Sequence, residues 1–298
     1  MVVDNHEARP AVKALWFLAP ALSFYLLFEV LPLVGTLVIS LLDWGGYSIR
    51  SMNFVGLGNY AAVFRDPVFW KALQNNGLLL AGMVLLQSGV GFAMALLLET
   101  NVPAASFFRA IFFLPSVISV IVLGVVLSMV LSPSFGAAGA ALDVLHLEFL
   151  KADWLGHPQF AIWAVIFIQT ILGFGLAMFL FVAALKSVPD ELYEASLVDG
   201  ASKLRRVWHV TLPVVGEMAV VVAVVACINS LKTFGLVYSL TRGGPDNGTV
   251  VLPLWAYLQG FSYNRFGYGC AVSAILLILT LMIAGIQLRI GRYGRRSW

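Results

Sequence analysis

Polar side chains that interrupt apolar stretches are the residues of this chain that could do chemistry. Asn229, Ser230, Lys232 and Thr233 break an otherwise apolar helical run just before Phe234. In a lipid environment such groups need hydrogen-bonding partners, so they line either a cavity or a contact between helices. Both interpretations stay open on these residues alone.

The other reactive residue types form no catalytic or metal-binding pattern. None of the four scattered histidines, His6, His146, His157 and His209, shares a metal-ligand spacing with Cys, Asp or Glu. The two cysteines, Cys227 and Cys270, lie in apolar runs that are typical of small core residues. The sequence therefore predicts no catalytic residue and no metal site.

Charge is concentrated in the 186–213 segment, which holds eight of the chain's 33 Asp, Glu, Lys and Arg residues. A first short helix is predicted from Pro189, because acidic residues and proline suit a first turn, to a stop at Asp199-Gly200. A second is predicted from about Ser202 to Val210. It should end before Leu212-Pro213, because a residue preceding proline disfavours the α conformation.

Each predicted helix has a face that suits a partner. On the first helix the exposed stripe should be small and shallow, with the residues Leu192, Ala195, Ser196 and Asp199 at i, i+3, i+4 and i+7. On the second helix the stripe is too apolar for a solvated face and consists of Leu204, Val207 and Trp208.

The same segment carries a family resemblance. Glu194-Ala195-Ser196, Gly200, Val210 and Leu212-Pro213 resemble the EAA loop of the membrane subunits of binding-protein-dependent ABC importers, with Ser196 for the second Ala and Val210 for Ile. Similarity to the maltose and glycerol-3-phosphate permease branch extends to three more stretches, which are NFVGLGNY at 53–60, FFRAIFFLPSVIS at 107–119 and SLTRGGP at 239–245.

The resemblance implies a coupling role for the 186–213 segment. It assigns contact with the ATPases to Glu194, Ala195, Ser196, Asp199, Gly200, Leu212 and Pro213. It also implies a second homologous permease subunit, two ATP-binding subunits that hold ATP and Mg, and an extracytoplasmic solute-binding protein. The chain contains no Gly-Lys dipeptide and hence no Gly-x4-Gly-Lys-Ser/Thr motif, so we expect no cofactor and no ATPase activity of its own.

Substrate-path positions carried over from the maltose permease fall in two spans. They are Asn229, Ser230 and Thr233, with Lys232 beside them, and Leu172, Gly173 and Leu176. Asn229 stands where the maltose protein has an aromatic residue and Leu176 where it has a tyrosine, so a different solute is expected. Lys232 leaves glycerol-3-phosphate or a glycerophosphodiester open, because an ammonium group can neutralise a phosphate.

Composition defines a multi-pass membrane protein. Apolar residues make up 60% of the chain and charged residues 11%, and the small net charge of +3 does not indicate nucleic-acid binding. We predict an all-α fold with a single transmembrane domain over 1–298, and the resemblance implies the type I ABC importer permease kind. Its six spans in the lipid bilayer should cover about 14–42, 76–98, 110–131, 160–185, 214–240 and 267–288.

The distribution of Lys and Arg predicts the orientation. The side that holds the termini and the 186–213 segment carries eleven of them, and the opposite segments carry six. By the positive-inside rule the termini and the 186–213 segment are cytoplasmic. The resemblance implies that the membrane is a bacterial cytoplasmic (inner) membrane. The segments 43–75, 132–158 and 241–266 are then external.

Two classes of function fit these features. The resemblance implies a permease of an ATP-driven sugar importer that works by alternating access as half of a heterodimer. The alternative is a secondary transporter driven by protons or sodium, with the intramembrane charges of Glu29 and Lys232 for coupling. For Glu29 we favour packing against a neighbouring helix or a partner subunit. A membrane-embedded enzyme has no catalytic constellation to support it.

Overall fold

The computed structural model describes residues 8–99, 103–132, 136–146 and 153–294. Five of its helices are long and apolar enough to cross a membrane, and a bent helix pair makes a sixth. The chain divides into two compact units. One contains the described residues up to Arg65 with Ala256–Ile275, and the other contains Asp66–Trp255 with the described residues from Leu276 onward.

The first unit begins with a long apolar helix. Helix α1 (Ala8–Tyr25) continues through a π-helical turn (Leu26–Val30) into α2 (Leu31–Ile39). Two short strands, β1 (Leu42–Asp43) and β2 (Asn53–Phe54), then pair antiparallel, and α3 (Gly58–Arg65) follows. The amide of Asn59 holds this corner together, because it donates to the carbonyl oxygens of Ser40 and Leu42 at 2.9 and 2.8 Å.

The second unit contains most of the remaining helices. Its first half comprises α4 (Pro67–Gly82), a π turn (Met83–Gln87), α5 (Ser88–Glu99), α6 (Ala105–Phe113), α7 (Val120–Val130) and α8 (Ala137–Val144). Its second half comprises α9 (Ala161–Leu185), α10 (Asp190–Val198), α11 (Lys203–Arg206), a π turn (Val207–Thr211), α12 (Leu212–Leu231) and α13 (Gly235–Leu240). Helices α14 (Leu252–Tyr257) and α15 (Phe266–Gly294) contribute to both units.

A close helix contact forms the core of the second unit. A Cβ added at Gly91 of α5 would lie 2.7 Å from the Cβ of Ala177 on α9, so glycine lets the two helices approach. Around this contact, α5, α9 and α12 bury a shared apolar cluster that includes Met178, Phe181 and Val222. The predicted fourth span, 160–185, coincides with α9 to within one residue.

The prediction that the second polar helix ends before Leu212-Pro213 is wrong. A continuous helix runs over Lys203–Leu231, and Leu212 has α-helical angles, φ −62° and ψ −41°. The π turn over Val207–Thr211 explains this, because the wider turn changes the hydrogen-bond pattern just where proline supplies no donor. Pro32 follows a π turn in the same way after Leu26–Val30.

Two predicted continuous spans are broken. In the predicted span 110–131, one helix runs over Ala105–Ser116 and ends in a 3-10 turn that contains Pro115, and the next helix, Val120–Val130, differs from it in direction by 92°. In the predicted span 214–240, α12 ends at Leu231 and α13 begins at Gly235. The two polar or proline-containing interruptions thus end helices that hydropathy alone treats as continuous.

The second span begins earlier than predicted, at Pro67 instead of about residue 76. Asp66 caps this helix, because its Oδ1 accepts from the backbone N–H of Val68 at 2.8 Å. Pro67 then occupies a first-turn position whose missing N–H has no helical partner to lose. Asp66-Pro67 is therefore a helix start and not a loop turn.

Candidate functional site

Four polar side chains lie at the break after α12, and two of them form hydrogen bonds within the protein. Ser230 is fully buried, and its hydroxyl donates to the carbonyl oxygen of Cys227 at 2.8 Å. Thr233 is also buried, and its hydroxyl donates to the carbonyl oxygen of Asn229 at 2.9 Å. These hydroxyls support the backbone where the helix ends, and the prediction that they face a path does not describe this conformation.

The other two polar side chains of this break are exposed. Asn229 lies on the exposed side of the last turn of α12, and Lys232 is the exposed residue that caps it. The structure therefore separates the four predicted residues into a buried pair and an exposed pair. Of the four, Asn229 and Lys232 are the two whose side chains are exposed.

The predicted path residues of the fourth span pack closely against a glutamine. Gln87 donates from Nε2 to the carbonyl oxygen of Gly173 at 3.1 Å, and a Cβ at Gly173 would lie 2.6 Å from Gln87 Cδ. Leu172 is buried, whereas Leu176 is partly exposed and lines a narrow void beside Gln87. Sequence reasoning did not single out Gln87, although a glutamine inside an apolar run is the signal that could have found it.

A pair of buried asparagines that we did not predict organises the segment after α13. Asn75 donates from Nδ2 to the carbonyl oxygens of Gly248 and Val250 at 3.0 and 2.9 Å. Asn76 accepts from the backbone N–H of Leu252 at 2.8 Å through its Oδ1. Consecutive asparagines next to an apolar run are again a signal, since buried amides need partners.

The hydrogen bonds of these asparagines hold a ten-residue segment in place, residues 241–250, which we call the 241–250 turn. Inside the turn, the hydroxyls of Thr241 and Thr249 lie 2.6 Å apart, and Thr249 Oγ1 also contacts the carbonyl oxygen of Gly244 at 2.8 Å. Gly243 has φ +87°, a conformation that glycine adopts without a steric penalty. The SLTRGGP stretch thus folds into a preorganised turn.

In the 186–213 segment, the first helix ends as predicted. Gly200 has φ +69°, its N–H donates to the carbonyl oxygen of Leu197, and the N–H of Ala201 donates to that of Ser196, each at 3.0 Å. This pair of bonds is a Schellman motif with Gly200 at its left-handed position. A Cβ at Gly200 would meet no atom within 4 Å, so the requirement for glycine is conformational.

A direct contact joins the first helix to the start of the following span. The hydroxyl groups of Tyr193 on α10 and Thr211 before α12 lie 3.1 Å apart. Ser196 faces the same way, because it is buried and donates to the carbonyl oxygen of Tyr193 at 2.7 Å. Our prediction that Ser196 belongs to the exposed stripe is therefore wrong.

Most other residues of α10 are exposed. Glu194, Ala195 and Asp199 are exposed, and so is the predicted stripe residue Leu192. Leu212 is partly buried and Pro213 exposed, both within the continuous helix. The exposed face thus presents the carboxylate of Glu194 and the methyl group of Ala195 beside Asp199.

Large apolar side chains on the same segment are also open. Val198 is 88% exposed, Leu204 69% and Trp208 61%. Val198 is the last residue of α10, and Leu204 and Trp208 lie one turn apart on the second helix. These exposed apolar side chains lie on the segment that is richest in charge.

Several apolar helices of spanning length, together with the charged 186–213 segment between two of them, are typical of a multi-pass membrane protein. The chain matches the family described as binding-protein-dependent transport system inner membrane component over residues 87–292. It belongs to that family and is an inner-membrane transport component.

Two relatives and one solved structure cover nearly the whole chain. The probable ABC transporter permease protein YurN of Bacillus subtilis (strain 168) is 34% identical over 94% of this chain and 96% of its own. The diacetylchitobiose uptake system permease protein NgcF of Streptomyces coelicolor is 32% identical, over 93% and 81%. In a crystal structure of a bacterial ABC transporter for alginate import, one chain superposes with a TM-score of 0.81 at 20% identity, covering 97% and 99%.

Proposed function

We propose that this chain is the permease half of an ATP-driven sugar importer whose 186–213 segment receives motion from an ATPase. The observation that carries the proposal is the contact of Tyr193 with Thr211. Through it, a displacement of α10 reaches the helix that ends at Leu231 beside Asn229 and Lys232. Coupling and solute contact thus share one continuous helix.

The exposed face of α10 supports docking of an ATP-binding subunit. Glu194 can pair with a basic group there, and Ala195 lets the helix approach closely. Val198, Leu204 and Trp208 add apolar area that a partner would cover. Two such subunits, which bind ATP and Mg, serve the two permease chains of one transporter.

The first span supports pairing with a second, homologous membrane subunit. No residue in the most apolar window of Phe17–Ile39 is buried within this chain, and Glu29 is exposed in that span. A carboxylate at this depth is unfavourable by about 3 kcal/mol in lipid, so it should face protein or water. A partner helix beside Glu29 meets that requirement.

A sugar is the solute class that we propose. NgcF, which shares this chain's family and most of its length, is named for diacetylchitobiose uptake. Exposed Lys232 keeps a phosphorylated solute such as glycerol-3-phosphate as the second candidate, since its ammonium can bind a phosphate. An external solute-binding protein would deliver either solute to the face opposite the 186–213 segment, which we place in the cytoplasm.

Uptake into energised membrane vesicles tests this proposal. Vesicles from cells that express the complete transporter receive maltose, diacetylchitobiose or glycerol-3-phosphate with the solute-binding protein. We expect one of the sugars to accumulate and vanadate to abolish its uptake. Uptake that only a proton uncoupler abolishes would favour the ion-coupled alternative, and accumulation of glycerol-3-phosphate alone would replace the sugar.

A further inference from the structure

The second unit contains an open cavity of about 390 Å³ whose described lining does not include the polar break. Its walls come from the end of α7, the end of α13, the 241–250 turn and the short stretch around Leu155. The described lining includes Ser128, Leu131, Ser132, Leu155, Leu240 and Thr241. By the charge count these residues lie at the external side of the membrane.

The wall made by the 241–250 turn is built before any ligand binds. Thr241 uses its hydroxyl within the protein, because Oγ1 contacts both Thr249 Oγ1 and the carbonyl oxygen of Val237, at 2.6 and 3.0 Å. Buried Asn75 holds the far side of the turn through Gly248 and Val250. A wall fixed in this way loses little conformational entropy when a ligand binds.

The opposite wall offers hydroxyl groups that are partly exposed. Ser128 donates its hydrogen to the carbonyl oxygen of Val125 at 2.7 Å, so its oxygen remains as an acceptor. Ser132, one turn further on, brings a second partly exposed hydroxyl to the lining. Leu131, Leu155 and Leu240 supply apolar surface between them.

Hydroxyl groups beside apolar surface suit a solute with both hydroxyls and C–H faces. We infer that this cavity, named here the outer vestibule, is a first binding site for a small hydroxylated solute before it reaches Asn229 and Lys232. Its volume lies at the lower end of the range for small-molecule sites, about 300–1,000 Å³, which fits one or two sugar rings. The inference rests on the proposed function, whose solute class it refines.

Cysteine protection tests the outer vestibule. The complete transporter in lipid nanodiscs carries Cys227→Ala and Cys270→Ala, both at buried positions, and Ser132→Cys as the reporter. Alkylation by a maleimide is timed with and without maltose, diacetylchitobiose or glycerol-3-phosphate, in the absence of the solute-binding protein. Ser51→Cys, at an exposed serine of the predicted external segment 43–75 and outside the lining, is the matched control.

We expect the transported sugar to slow alkylation at Ser132→Cys about threefold at twice its dissociation constant, and not at Ser51→Cys. Ser132→Leu should raise the KM for uptake and leave kcat unchanged. Protection by none of the three probes, or equal protection of both reporters, overturns the vestibule. Failure of vanadate-sensitive uptake overturns the proposed function instead, so the two failures are distinguishable.

Discussion

The hydroxyl groups of Tyr193 and Thr211 lie 3.1 Å apart and join the first helix of the 186–213 segment to the helix that follows it. Because the second helix continues unbroken to Leu231, this contact links the exposed face of α10 to the far end of a span. On the proposed function, movement of a docked ATPase would pass through this contact to the end of the span that meets the solute.

Removing either hydroxyl should weaken this link. We expect Tyr193→Phe and Thr211→Val each to lower the solute imported per ATP hydrolysed, because a net hydrogen bond of about 1 kcal/mol is lost. The double variant should lose no more than either single variant, since both remove the same bond. Additive losses, or unchanged coupling in all three variants, would contradict the link.

Gly200 should tolerate side chains according to their backbone preference. Gly200→Asn should retain more uptake than Gly200→Val, because asparagine adopts the left-handed conformation more readily and valine is β-branched. We expect Gly200→Val to destabilise the Schellman motif by about 1–2 kcal/mol and to reduce retention of the ATPases during purification.

Gly216→Ala is the control for that comparison, because Gly216 lies within α12 and has open space around it. It should leave uptake unchanged or slightly higher, since alanine favours helix formation. Equal uptake by Gly200→Val and Gly200→Asn would show that the left-handed turn is not needed.

The buried amide of Asn75 should matter for stability. Asn75→Leu leaves the carbonyl oxygens of Gly248 and Val250 without their donor, and we expect a loss of about 2–3 kcal/mol. Thermal unfolding of the purified transporter measures the loss. Asn229→Leu, at an exposed position, should change the melting temperature little, and a fall as large as that of Asn75→Leu would contradict the assignment.

Lys232 should separate the two solute classes. Lys232→Met is expected to reduce sugar uptake modestly, by about twofold to fivefold, because a neutral ring loses at most one hydrogen bond. An anionic solute would lose its counter-charge, and its uptake would cease. Initial uptake rates of maltose, diacetylchitobiose and glycerol-3-phosphate distinguish the two solute classes. Thr233→Val is the control, because it removes a hydroxyl that is bonded inside the protein.

Hydropathy and local turn chemistry explain which parts of the fold were predictable. Helix α9 is apolar except at Gln169 and Thr170 and lacks proline, so composition predicts its bounds. Gly200 followed an aspartate at the end of a short helical pattern, which is enough to predict a left-handed stop. Both signals are local, and neither depends on a distant partner.

The errors arose where tertiary structure or a π turn decided the outcome. Pro213 alone predicts a helix end, but the π turn before it lets the helix continue. Helical spacing assigns Ser196 to the exposed face, yet the residue is buried and its hydroxyl donates to the carbonyl oxygen of Tyr193. Asn75 acts through residues more than 170 positions away, and no spacing within a single sequence reveals that contact.

Charge reversal on α10 tests the central claim, that the 186–213 segment couples ATP hydrolysis to uptake. The ratio of solute imported to ATP hydrolysed is measured in proteoliposomes for Glu194→Lys and for Glu191→Lys, a control on the same exposed helix. We expect Glu194→Lys to lower the ratio about tenfold or to release the ATPases, because a desolvated charge pair is lost, and Glu191→Lys to stay within about twofold. Equal ratios for both variants and the unaltered transporter, with both ATPases retained, would contradict it.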